Sequence, residues 1–212
     1  MDLIEIFLSI QGESTFAGLP CIFIRLAKCN LRCTYCDSIY TFETKFQLEI
    51  KQIIQKIKEF SPIKLVEITG GEPLLQEKVY DLFEALHNED YRILLETNGS
   101  IALDKVPEYV HKIVDIKTPG SGYPDSFAEK NIALLDKERD EIKFVITSRE
   151  DYEFSLKKIK KYSLKNYKVL FSPVTNSIEP KTIVEWILED KLAVRFQLQL
   201  HKYIWDADTE GV

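Results

Sequence analysis

The stretch Leu65-Val-Glu-Ile-Thr-Gly-Gly-Glu-Pro73 decides the fold of this chain, because a β-rich run passes directly into a Gly-Gly-Glu-Pro turn. Apolar residues at helical spacing flank it, with Ile50, Ile53, Ile54 and Ile57 before and Val79, Leu82, Phe83 and Leu86 after. Similar β-rich runs recur at 92–96, 112–116, 142–146, 168–171 and 194–198, and Ile183, Trp186 and Ile187 mark another helix. Strand and helix in alternation predict βα units and a parallel sheet. Upstream, runs at 3–10 and 22–26 are joined through Gly12, Gly18 and Pro20, which predicts a long-looped hairpin. The expected architecture is α/β: an open partial (βα) barrel of about six parallel strands, with an N-terminal hairpin-like extension carrying a cysteine loop. No linker or repeat divides the 212 residues, so 1–212 reads as a single domain.

Composition excludes several classes of function. With 45% hydrophobic and 29% charged residues the chain reads as globular, and a net charge of −6 offers no general attraction to nucleic acid or an anionic membrane. The run Lys157-Lys-Ile-Lys-Lys161 has the spacing of a solvated helix face. No apolar run approaches the roughly 20 residues that span a bilayer. The acidic start, Met1-Asp-Leu-Ile-Glu, does not resemble an export signal, so the expected location is cytoplasmic, where thiols stay reduced.

Cys29, Cys33 and Cys36 stand in a C-x₃-C-x₂-C pattern just after a strand. Three thiolates from one loop suit a 4Fe-4S cluster with one iron open to a small molecule. Zinc is the rival, completed by Cys21, His87, His111 or His201. Ligands of parallel α/β folds gather beyond the carboxyl ends of the strands. Those ends are polar here, supplying Cys29, the 69–73 turn, Glu96-Thr-Asn-Gly99, Lys117-Thr-Pro119 and Ser172-Pro-Val-Thr175. Arg25 lies in an apolar strand, where a charge needs a ligand or a buried acid to answer it. No side chain is an evident nucleophile.

The cysteine triplet together with Gly70-Gly-Glu-Pro73 resembles the radical S-adenosylmethionine enzymes. The resemblance implies a 4Fe-4S cluster on Cys29, Cys33 and Cys36, with S-adenosylmethionine chelating its open iron and Glu72 receiving the cofactor's amino group. Tyr35, Cys36, Asp37, Gly71, Asp115, Ile116, Lys117, Ser172, Pro173, Val174 and Thr175 would complete the cofactor site. The flanking segments Ser9-Ile-Gln-Gly-Glu13, Phe23-Ile-Arg-Leu26, Glu96-Thr-Asn-Gly99 and Gln199-Leu-His-Lys-Tyr203 are similar to those of the 7-carboxy-7-deazaguanine synthase family.

That family implies ring contraction of 6-carboxy-5,6,7,8-tetrahydropterin to 7-carboxy-7-deazaguanine with loss of ammonia, on the route to queuosine. It assigns Ile10, Gln11, Gly12, Glu13, Arg25, Thr69 and His201 to the substrate, with Arg25 on its carboxylate. It also assigns Mg²⁺ a place beside Ser38, where the family usually has Thr. The partners implied are the small pterin and an electron-donor protein such as a flavodoxin or ferredoxin, with no nucleic acid and no membrane. Oligomeric state is left open, a homodimer being one option. An activase that generates a glycyl radical on a partner protein is the second enzymatic reading. A zinc-stabilised module without catalysis is the remote one.

Overall fold

The computed structural model describes residues 1–175, 177–206, 209 and 211, so most of the tail after Asp206 lies outside the described residues. The described strands form one sheet: β1 (Asp2–Ile10), β2 (Pro20–Leu26), β3 (Phe46–Gln47), β4 (Leu65–Gly70), β5 (Arg92–Thr97), β6 (His111–Asp115), β7 (Glu141–Ile146), β8 (Lys168–Pro173) and β9 (Arg195–Phe196). Their order is β3-β1-β2-β4-β5-β6-β7-β8-β9, so the sheet is open, with β3 and β9 at its edges. The helices are α1 (Ile50–Lys58), α2 (Lys78–Asn88), α3 (Arg149–Lys161), α4 (Pro180–Glu189) and the short α5 (His201–Ile204).

β1 and β2 are the expected antiparallel hairpin, with Phe7 opposite Phe23. β2 also runs parallel to β4, placing Arg25 beside Thr69. The hairpin is therefore built into the barrel, and the parallel series from β2 through β4 to β9 counts seven strands. Local chemistry starts the helices. Glu49 and Gln52 form a reciprocal capping box at α1, Ser148 caps α3 through the Asp151 N–H, and Pro180 opens α4. The crossover from β6 to β7 contains only the 3₁₀ turns Pro119–Ser121 and Glu129–Leu134, and Pro119, Gly120, Gly122 and Pro124 break any longer helix at its start.

Strand parity separates two interiors. Val66 and Ile68 of β4 face outward into a core with Val79, Leu82, Phe83 and Leu86 of α2, whereas Leu65 joins Phe16, Cys21, Phe23, Leu94 and Ile113 in a smaller inner layer. The β1–β2 loop plugs the barrel floor there. Thr15 donates to Glu141 through both its backbone N–H and its hydroxyl, and His111 Nε2 lies 2.8 Å from the same carboxylate. The open side is bridged where the C-terminal segment returns, with the Leu200 N–H on Gly12 O at 3.0 Å and the Ser14 N–H on Gln197 Oε1 at 2.8 Å. The lysine run lies on α3, with Lys157, Lys160 and Lys161 exposed. Among the described residues no helix is long and apolar enough to cross a membrane.

Candidate active site

Above the inner apolar layer a cavity of about 900 Å³ opens at the carboxyl rim of the strands. The cysteine loop forms one wall. Cys29, Cys33 and Cys36 are free, half-buried thiols on that wall. Burial lifts the thiols of Cys33 and Cys36, and each also feels the neighbouring cysteines and Lys117. Backbone contacts shape the loop: the Cys36 N–H donates to Cys33 O at 3.2 Å and the Thr34 N–H to Ser121 O at 3.2 Å. Arg32 stacks over Phe42 at 3.9 Å and donates to Cys29 O at 2.8 Å. The Gly-Gly turn packs directly beneath. A Cβ on Gly71 would collide with the Lys28 carbonyl and with Cys29, so only glycine allows this approach.

Next to the thiols, Lys117 Nζ holds Asp115 Oδ2 at 2.7 Å. Burial works against the Lys117 charge, but Asp115 and Tyr35 more than offset it and raise its pKa. Asp115 Oδ1 is buried with no hydrogen-bond partner among the described residues, an acceptor left over at the cavity wall. Tyr35, Ser172, Pro173, Val174 and Thr175 line the same end. Three soft thiols on one wall, beside an orphaned acceptor and a close-approach glycine, have the donor chemistry that an iron-sulfur cluster with a small polar ligand takes, although among the described residues they are not gathered into a metal-holding group.

Two residues expected in the cofactor site do not line the cavity. The Ile116 side chain is fully buried in the outer core, because strand parity turns it toward the helices. Glu72 is also fully buried, and its carboxylate accepts from the Leu74 N–H at 3.0 Å, the Asn98 N–H at 2.8 Å and the Thr97 hydroxyl at 2.9 Å. The acid ties the turn after β4 to the turn after β5. Glu72→Ala, which strands these buried donors, is expected to cost about 3 kcal/mol of folding stability, read by denaturant unfolding. A midpoint equal to wild type would show that the carboxylate does not hold the turns together.

A second group of charges lines the same cavity. Arg25 Nε donates to Glu5 Oε1 at 2.6 Å, its guanidinium lies over Phe7 and Tyr40 at 5.7 and 5.9 Å, and its Nη1 and Nη2 meet no acceptor among the described residues. Lys143 of β7 pairs with Glu13 at 3.0 Å and with Glu96 of β5. Burial opposes the Lys143 charge, yet Glu13, Glu96 and Asp115 together raise its pKa well above the usual lysine range. Ile10 and Thr69 line this part of the wall. A Cβ on Gly12 would strike the His201 ring, so glycine is what lets His201 close over the β1–β2 loop. Burial lowers the His201 pKa, with Glu13 pulling the other way.

Asp37 sits at the mouth, where Gln199 Nε2 reaches it at 3.3 Å and Lys202 Nζ at 3.0 Å. Burial would raise its pKa, but Lys202 and these hydrogen bonds hold it well below the usual carboxylate range. Ser38 Oγ donates to Asp37 Oδ1 at 3.0 Å. The Gln11 side chain is taken up within the protein, accepting from the Glu13 N–H at 2.9 Å and donating to Glu67. Sequence reasoning missed Glu67, Lys143, Gln199 and Lys202 as site residues and took Glu96 only as part of a turn. The first two were detectable, because a charge inside an apolar parallel strand must be paired or face a cavity.

Comparison with known proteins agrees with this geometry. The family model described as the Radical SAM superfamily matches residues 23–188. The 7-carboxy-7-deazaguanine synthase of Koribacter versatilis is 44% identical, with all of both chains aligned. The enzyme of the same name from Chlorobaculum tepidum is also 44% identical, over 100% of this chain and 97% of its own. For the fold, the crystal structure of QueE from Escherichia coli superposes with a TM-score of 0.77 at 22% identity, covering 94% of each chain. With the cysteine wall, the Gly-Gly turn and the full-length relatives in agreement, the chain belongs to the 7-carboxy-7-deazaguanine synthase family within the Radical SAM superfamily.

Proposed function

We propose that this chain converts 6-carboxy-5,6,7,8-tetrahydropterin to 7-carboxy-7-deazaguanine, with loss of ammonia, for queuosine or another 7-deazapurine. The observation that carries the reading is one cavity that reaches from three thiols to Arg25, whose Nη1 and Nη2 meet no acceptor among the described residues. A small carboxylated heterocycle matches that span, whereas a protein loop, the substrate of an activase, does not need an arginine inside a closed floor.

A 4Fe-4S cluster with S-adenosylmethionine, the cofactors of this superfamily, supplies hydrogen-atom abstraction from an unactivated carbon. Cys29, Cys33 and Cys36 would hold the cluster. Tyr35, Asp115, Lys117 and the 172–175 turn would hold the nucleoside and amino-acid parts of the cofactor, with Asp115 Oδ1 as a ready acceptor. Arg25 Nη1 and Nη2 would grip the substrate carboxylate as a planar fork, held in place by Glu5 at Nε. Glu13, aligned by Lys143 and Gln199, would accept from pterin N–H groups, and His201 would close the same side. Ser38, beside Asp37, would hold a Mg²⁺ that helps to fix the substrate carboxylate. The electron would come from a flavodoxin or ferredoxin in the cytoplasm.

Anaerobic incubation of the reconstituted protein with S-adenosylmethionine, a reductant and the carboxytetrahydropterin tests the proposal. The expected product is 7-carboxy-7-deazaguanine, and its absence from a preparation with a full complement of iron and sulfide would overturn the assignment. Ser38→Ala is expected to keep the cluster absorbance but to blunt the rate response to added magnesium. An unaltered magnesium titration would remove Ser38 from that role.

A further inference from the structure

The cavity floor holds more acid than base. Glu13, Glu67 and Glu96 line it together with Lys143, which pairs with Glu13 and Glu96, and with Arg25, which pairs with Glu5. Glu67 of β4 is only 2% exposed and has no ion-pair partner among the described residues. Among the described residues its one side-chain hydrogen bond comes from Gln11. Around it stand Glu13 from the β1–β2 loop, Glu96 from β5, Lys143 from β7 and the buried Cys21 thiol from β2. Burial, reinforced by Glu96 and Glu13, pushes the Glu67 carboxyl well above the usual carboxylate range despite Lys143 and the Gln11 amide.

The hydrogen-bond chain determines where a proton on Glu67 resides. The Glu13 N–H donates to Gln11 Oε1 at 2.9 Å, so the amide oxygen of Gln11 is turned to Glu13 and its nitrogen to Glu67. The reverse orientation would set two donors against each other at Glu13. Gln11 Nε2 therefore donates to Glu67 Oε2, which makes Oε2 the acceptor of the carboxyl group. The remaining oxygen, Oε1, accepts and donates nothing among the described residues. Gln11 is itself pinned by its backbone, its N–H on Leu19 O and its carbonyl under the Gly18 N–H, both at 2.8 Å.

We propose that Glu67 is a recognition residue whose Oε1 carries a proton and donates it to the pyrimidinone carbonyl of the bound pterin. This rests on the pterin reading above. The edge of such a heterocycle presents N–H donors beside one carbonyl acceptor. Glu13 and Glu96 complement the donors, and carboxylates alone would repel the carbonyl. A neutral acid completes the match. Raising the pH removes the proton, places an acceptor against the carbonyl and adds a buried negative charge, so pterin binding weakens as the pH rises.

The test has two parts, both on the full chain purified anaerobically. Infrared spectra of the ligand-free protein are expected to show the C=O stretch of a protonated carboxyl group that Glu67→Gln removes. Equilibrium binding of the carboxytetrahydropterin is expected to weaken about tenfold in Glu67→Ala. Glu67→Gln is expected to recover most of that loss, since its carbonyl accepts from Gln11 and its NH₂ replaces the O–H, and to lack the alkaline decline expected of wild type. The proposal is overturned if wild type lacks the band, or if the glutamine variant binds as poorly as the alanine one. Failure of wild type to bind the pterin at all would overturn the functional reading and the ligand named here, while the band would still decide the protonation of Glu67.

Discussion

Cys33→Ala is expected to yield a folded protein that reconstitutes without the broad visible absorbance of a 4Fe-4S cluster and forms no product, while Cys21→Ala keeps both. The contrast follows from where the strands place four chemically identical thiols. Cys29, Cys33 and Cys36 are half-buried on the cavity wall, close enough to influence one another's ionisation. Cys21, the second residue of β2, has no exposed surface and packs with Phe16, Phe23 and Leu65 in the inner layer. Burial raises its pKa, with the Glu67 carboxyl adding to the effect, and its thiol reaches Ile22 O at a long 3.6 Å. Such a cysteine acts as a small hydrophobe, and its loss is expected to cost about 1 kcal/mol of stability through the void it leaves. Iron and sulfide content settle the matter alongside absorbance. Retention of the cluster by Cys33→Ala together with its loss from Cys21→Ala would invert the assignment.

What was legible in the chain, and what was not, follows a physical line. Repeated β-rich runs with polar ends exposed the parallel sheet and the rim that carries the site, because strand parity and βα turns are local properties. The joining of β2 to β4 is not local. Ile22 to Leu26 read as the second strand of a hairpin, and only its contact with Ile68 and Thr69 makes it the first strand of the parallel series. In the site, Arg25 stood out as a charge in an apolar strand. The same reasoning applied to Glu67 and Lys143 identifies the cavity floor, since each is a charge buried within a strand whose neighbours on both sides are buried apolar residues. Glu72 shows what local sequence leaves out. Its place in Gly-Gly-Glu-Pro suggests a ligand, yet the Asn98 and Leu74 amides claim its carboxylate. Gln199 and Lys202 carry no local signal at all, because the return of the C-terminal segment onto Gly12 and Asp37 brings them in.

Arg25→Ala is expected to raise the dissociation constant for the carboxytetrahydropterin by roughly 30-fold or more, since losing a charged partner desolvated on binding typically costs about 2 to 5 kcal/mol. The structure explains why the side chain is prepared for that role. Glu5 fixes Nε at 2.6 Å and leaves the terminal nitrogens to the cavity, while Phe7 and Tyr40 flank the guanidinium. Burial opposes the charge, but Tyr40 and Glu5 more than compensate, so the group enters binding as a fixed cation. The substitution also strands Glu5, whose side chain is 15% exposed, and some loss of stability is expected for that reason alone. Affinity by itself therefore does not isolate the contact. The ratio of affinities for the carboxylated pterin and for tetrahydropterin lacking the carboxylate does, because a general loosening of the fold lowers both affinities. Wild type is expected to prefer the carboxylated ligand strongly, and Arg25→Ala to bind the two alike. Arg25→Lys keeps the charge but not the planar fork, and is expected to fall between them. Undiminished discrimination in the alanine variant would show that another group reads the carboxylate, and would remove the strongest single-residue support for a pterin acid as the substrate.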